Sequence, residues 1–231
     1  MKPIHLFTIV MSLNITGLGF FTAGPAAAMD VMDFVKQTFI HGVPYEEASQ
    51  YGAGDVDALL GMLSNRSYEN HWPNVVVTLC IIGDDRAVDP IVDFIKGGTG
   101  QLSHAEYTAK SSAIMALGYL VNKSGNAKAL DFLRTSLDPD AWEKRRVGWS
   151  SAYHDSVADR NMQLSTMAVL GLALSGKPEA RDALLSLQRT PKTAGAKRLQ
   201  AESFDTISEA LSANQMIAEQ GLAEYYRQNM R

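Results

Sequence analysis

Three stretches of the sequence share one grammar, an apolar run, a glycine-containing turn and then an amphipathic run. They are Val76–Gly83 with Asp84–Ile95, Ala113–Gly118 with Asn126–Leu137, and Met167–Gly171 with Pro178–Leu187. In each, a Leu precedes a small residue in the apolar run, giving Leu79-Cys80, Leu117-Gly118 and Leu170-Gly171. The amphipathic runs set their register by apolar spacing. Val88, Ile91, Val92 and Ile95 fall at i, i+3, i+4 and i+7, as do Ala180, Ala183, Leu184 and Leu187, and Ala129, Leu130 and Leu133 follow suit. This is one face of a 3.6-residue helix, with Asp89, Asp93, Lys96, Asp131, Arg134, Arg181 and Asp182 on the solvated side. The first runs differ, since Thr166–Leu174 is apolar nearly all round and needs cover on several sides. A unit of this kind cannot bury its own apolar surface, so the expectation is an all-α chain of stacked helical hairpins.

The small residues Cys80, Gly118 and Gly171 lie 38 and then 53 residues apart. Helical hairpin repeats run at about 40 to 47 residues, so the second interval carries an insertion. It spans 138–155. Towards the ends the pattern weakens, as expected of capping units with one polar side. Val31–Ile40, Tyr45–Tyr51 and Asp55–Leu63 read as a leading cap, and Lys197–Leu211 with Asn214–Tyr226 as a closing helix pair.

Composition narrows the function classes. Of 231 residues 46% are apolar, enough for a substantial core, and 21 Lys and Arg against 25 Asp and Glu give a net charge of −4. Without a basic field a nucleic-acid partner is not expected. The lone cysteine, Cys80, excludes an intrachain disulfide or a thiolate-rich metal site, and its place in an apolar run reads as a small buried hydrophobe. Residues 1–28 have the order of a secretory signal. Lys2 comes first, then an apolar stretch from Ile4 to Phe21, then Ala23-Gly-Pro-Ala-Ala-Ala28 with small residues at both peptidase positions. The expectation is cleavage after Ala28, a domain over 29–231 with core repeats at about 70–190, no stable membrane span thereafter, and a periplasmic or secreted location; an uncleaved anchor is the alternative.

Cys80-Ile-Ile-Gly-Asp-Asp-Arg-Ala-Val-Asp-Pro-Ile-Val-Asp-Phe-Ile95 resembles the HEAT-like repeats of the phycobilisome-lyase group, in which a Leu-Gly pair precedes a Gly-Asp turn and an Arg-Ala-Val helix. The later units keep the Leu-Gly pair at Gly118 and Gly171, with Asn122-Lys-Ser-Gly125 and Ser175-Gly-Lys-Pro178 in place of the Gly-Asp turn. The resemblance implies a right-handed α-solenoid with terminal capping helices and, for most members, a scaffolding role. The group also holds bilin lyases and a metal-dependent hydroxylase, but the paired His-Glu dipeptides of the latter do not occur here.

Few residues point to chemistry. No two of His5, His41, His71, His104 and His154 share a helical face with a carboxylate, so no metal and no cofactor is expected. His154-Asp155-Ser156 has the letters of a triad but consecutive residues do not converge, and Gly148-Trp-Ser-Ser-Ala152 lacks the last glycine of a nucleophile elbow. Gly97-Gly-Thr-Gly100 follows a helix and lacks Gly-Lys-Ser/Thr, so it reads as a helix stop. The informative polar segment is the insertion, with Trp142, Arg145, Arg146, Trp149 and Tyr153, joined by Trp72 in Tyr68–Pro73 at the junction before the first unit. Trp, Tyr and Arg are the usual anchors of protein interfaces, which marks these six as candidate contacts to a protein or peptide. The alternative is that they fold back over the gap between units. The functional expectation is an exported protein-binding scaffold without catalytic activity. The competing readings are a lyase-like enzyme with a pocket at the insertion and a structural subunit of an envelope complex.

Overall fold

The computed structural model describes residues 29–145 and 147–229. The signal-like segment and Arg146 therefore lie outside the described residues. Among those described there are thirteen α-helices and no strand. The leading region holds α1 (Val31–Val35), α2 (Tyr45–Ala48) and α3 (Val56–Leu63). Three hairpins follow, α4 (Trp72–Ile82) with α5 (Val88–Lys96), α6 (His104–Ser124) with α7 (Ala127–Thr135), and α9 (Val157–Ser175) with α10 (Pro178–Arg189). Helix α8 (Pro139–Arg145) lies within the insertion, and α11 (Ala194–Glu202), α12 (Phe204–Gln220) and α13 (Leu222–Asn229) complete the chain.

The sequence signals set the ends of these elements. Helices α4, α6 and α9 each stop at a glycine in the left-handed region, Gly83, Gly125 and Gly176, a conformation that costs a residue with a Cβ. Ser103, Asn126 and Ser156 accept from the backbone N–H of Glu106, Ala129 and Asp159 and so cap α6, α7 and α9, while Pro178 opens α10 where its missing N–H is harmless.

The first helices pack in series, α6 between α4 and α9, and α9 between α6 and α12. Their partners α5, α7 and α10 touch one another in the same order. Two of the small residues make the closest of these crossings possible. A Cβ on Gly118 would overlap the Gly171 carbonyl oxygen and come within 2.9 Å of its carbonyl carbon, and one on Gly171 would lie 2.9 Å from Ile114 O. Cys80 is fully buried, and burial pushes its thiol pKa well up, leaving it an inert apolar side chain.

The closing region departs from the expected pair. Helix α11 is separate, and α12 runs unbroken through 211–214 because Asn214 is not a turn residue; its buried amide donates to Leu172 O at 2.9 Å, at the end of α9. The leading cap is also broken more finely than its apolar runs suggest, with α1 ending at Val35 and α2 only four residues long.

Candidate binding cleft and the insertion

The insertion is pinned to the hairpins on either side of it. The Trp142 side chain is 0% exposed; its Nε1 donates to Ser136 O and Ser165 Oγ, both at 3.1 Å, and its ring meets Phe132 edge-on. The Arg145 guanidinium lies 4.6 Å from the centroid of Trp142 and 4.8 Å from that of Phe132, and donates to Ser136 Oγ and Thr135 Oγ1. Trp72 is buried as well, with Nε1 donating to Met62 O at 2.9 Å and its ring edge-on to Phe94. Trp72 and Trp142 are thus core residues, with no face left for a partner, and Arg145 is held beside the second of them.

Trp149 is half-buried and attached through its backbone. Its N–H donates to Gly100 O and its carbonyl accepts from Leu102 N, which makes the single bridge pairing Gln101 with Trp149. The glycine cluster therefore ends α5 and continues as a rail for the insertion. Tyr153 is 40% exposed, stacks on His104 with centroids 4.8 Å apart, and its hydroxyl lies 2.8 Å from His104 Nε2 and 2.9 Å from Thr108 Oγ1. Beside it, His154 Nε2 donates to Tyr107 Oη at 2.7 Å while Tyr107 donates to Gln163 Oε1 at 2.8 Å. Burial lowers the His154 pKa and holds the ring neutral. The letters of the triad part company, since Ser156 caps α9 through Asp159.

The loop before the first hairpin reaches the same stretch of chain. Arg66 pairs with Glu106 at 2.9 Å, and Ser103 donates to Glu69. Behind them Lys110, 2% exposed, donates from Nζ to the carbonyls of Phe94 and Gly97 at the end of α5 and sits over the Phe94 ring. Burial pulls its pKa down to about 8 against the pull of Glu106. Arg160 is also buried and donates to Val147 O and Asn161 Oδ1. These polar groups are spent on holding loops and helix ends.

A large concavity with a mostly apolar wall lies elsewhere, over the first helices. It measures about 590 Å³ and takes Val77 from α4, Met115 from α6, Leu170 and Leu174 from α9, and Ala213 and Met216 from α12. Residues 41–43 and α13 close one side. There Tyr45 stacks on Tyr226 at 5.2 Å, Tyr119 shares a hydrogen bond with the Tyr226 hydroxyl, and Arg227 Nε lies 3.8 Å from Glu46 Oε1. Burial pushes the Tyr119 phenol up to about 12, so it stays protonated. Glu209 and Ser112 supply polar groups at the wall. None of these residues stands out in the sequence; the only local signal is the adjacent pair Tyr225-Tyr226 in the last helix. Among the described residues no group of three His, Cys, Asp or Glu is placed to hold a metal ion, and no helix is long and apolar enough to cross a membrane.

Compared with family models, curated proteins and solved structures, the chain gave no match.

Proposed function

We propose that the protein is a binding scaffold without catalytic activity of its own, a right-handed α-solenoid of HEAT-like hairpins that holds a segment of a partner protein in the cleft over its first helices. The observation that carries this reading is that the first helices of all three hairpins, together with α12, contribute to one apolar wall. A surface assembled from repeats in this way favours an extended or helical protein segment. It moves the expected contact away from the insertion and the loop before the first hairpin, where Trp142 and Trp72 are buried, to the wall formed by the first helices. Tyr153 and Trp149 keep enough surface to form a secondary contact. Export to a periplasm or beyond is part of the same proposal and rests on the order of residues 2–28.

A photocrosslinking amino acid at Ser212, exposed beside the cleft, tests it in the living source cell. The expected result is one dominant protein adduct that is lost when Leu170→Trp fills the cleft, while the melting temperature is kept. An adduct indifferent to Leu170→Trp, or none, would reject the cleft as the site.

A further inference from the structure

We propose that α13 is a displaceable wall of this cleft, and that the partner presents a segment of the same kind: an amphipathic helix with two adjacent aromatic side chains followed by a basic one. The proposal rests on the scaffold reading above and names the partner's chemistry. Eight residues are too few for a helix to persist on its own, so α13 is held by what it touches. Leu222 and Tyr225, three apart on one face, are buried, and Tyr226 lies against Tyr45 and Tyr119. Arg227 follows; it pairs with Glu224 of its own helix, and its Nε lies 3.8 Å from Glu46 Oε1, with the Arg227 and Glu46 side chains both more than half exposed. Glu47 beside Glu46 and Glu209 in the wall make the rim acidic, which complements a base at that position.

The attachment of α13 suits an element that leaves. A single residue, Gly221, joins it to α12, at φ +82° and ψ 160°, a conformation open to glycine, and nothing lies within 4 Å of where its Cβ would be. Tyr225, Tyr226 and Asn229 form one wall of the cleft, so the departure of α13 would widen it and bare Tyr119 and Met115. The helix α2, which meets α13 across the opening, is itself only four residues long. A partner helix with the same aromatic pair and base would replace the contacts α13 gives up.

The test uses the full chain and a fluorescein-labelled peptide of the sequence 221–229. Titrated into the Tyr226→Ala chain, whose own α13 has lost an anchor, the peptide is expected to bind at least tenfold more tightly than to the unaltered chain. Adding Glu46→Lys should weaken that binding at least threefold, and a peptide carrying Arg227→Glu should recover it. Excess peptide added to the unaltered chain should speed hydrogen exchange in α13 and leave α6 and α9 unchanged, a readout that does not depend on the variant's folding. Equal binding to both chains, or binding that leaves α13 exchange untouched, overturns the proposal. If the Ser212 adduct forms as expected while the peptide fails, the partner chemistry assigned here is wrong and the scaffold reading stands. A peptide that displaces α13 with no cleft-dependent adduct rejects the scaffold reading instead.

Discussion

Replacing Gly118 by Ala adds one methyl group at the crossing of α6 and α9, and the result follows from two opposed terms. Alanine in a helix interior is favoured over glycine by about 1 kcal/mol. Against this, the new Cβ would overlap the carbonyl oxygen of Gly171 and lie 2.9 Å from both the Gly171 carbonyl carbon and Leu174 Cβ. Carbon atoms in contact settle at about 3.5–4.0 Å, so α6 and α9 must part by roughly 1 Å. The obstruction is backbone, which no rotamer change can clear. Overpacking of this kind costs about 1–3 kcal/mol and sometimes more, and a gap of that width forfeits a quarter to a half of each dispersion contact along the crossing. The expected net loss is about 2 kcal/mol, which lowers the melting temperature of a chain this size by about 4–8 °C. Gly61→Ala is the matched control. Gly61 lies in α3, is exposed, and has nothing within 4 Å of its Cβ position, so the same change there should stabilise by about 0.5–1 kcal/mol. Both variants are measured by thermal and urea denaturation followed by circular dichroism. If Gly118→Ala melts at or above the parent, as Gly61→Ala should, the close crossing would be refuted.

Three further outcomes can be checked in the same way. Trp142→Ala should cost about 3–5 kcal/mol in urea denaturation, whereas Trp142→Phe, which keeps most of the ring but leaves Ser165 and Ser136 without the indole N–H, should cost about 1–2 kcal/mol. Lys110 has a folded pKa near 8, below its unfolded value, so the unfolded chain binds the extra proton between the two and stability should rise with pH above 8, by up to about 2 kcal/mol at pH 9.5. Lys110→Met should flatten that rise; an unchanged slope would mean the ammonium is better solvated than its burial implies. His154 is shifted the same way, so its contribution is present above its unfolded pKa and is lost as pH falls through the folded one. The protection of 147–156 against hydrogen exchange, taken relative to the intrinsic rate at each pH, should therefore fall on acidification, and much less so in His154→Gln.

The hairpins were legible because their amphipathic members must show a period, and Val88–Ile95 and Ala180–Leu187 do. The resting place of the insertion was not. An aromatic residue in a polar segment has the same letters whether it faces a partner or folds back, and Trp142 is decided by Phe132 and Ser136 just upstream together with Ser165 from the next helix. The cleft was hidden for a different reason. Helices α6 and α9 are covered on several sides, so no periodicity marks the side that stays open. Its closure depends on Tyr45, Tyr119 and Tyr226, which come from opposite ends and the middle of the chain and meet only when the hairpins are stacked.

Four polar side chains of α4, α6 and α12, two buried and two half-buried, share one task. A helix ends with carbonyls that lack an intrahelical partner, and in a packed stack the nearest donors belong to a neighbouring element. Asn74 of α4 donates to Val35 O at the end of α1, Lys110 of α6 to Phe94 O and Gly97 O at the end of α5, Asn122 of α6 to Ser175 O at the end of α9, and Asn214 of α12 to Leu172 O in the last turn of the same helix. Asn74 is a polar residue in an apolar run, whereas Lys110 and Asn214 sit among Thr, Ser and Gln and carry no such mark in the sequence. Each ties the end of one helix to the flank of another, so a stacking error leaves a donor and a carbonyl unpaired together. Apolar faces would tolerate a slide between helices; these fixed donors do not. The spacing of the first helices, and with it the width of the cleft that α13 closes, is therefore set jointly by the glycine crossing and by side chains that tie helix ends to their neighbours.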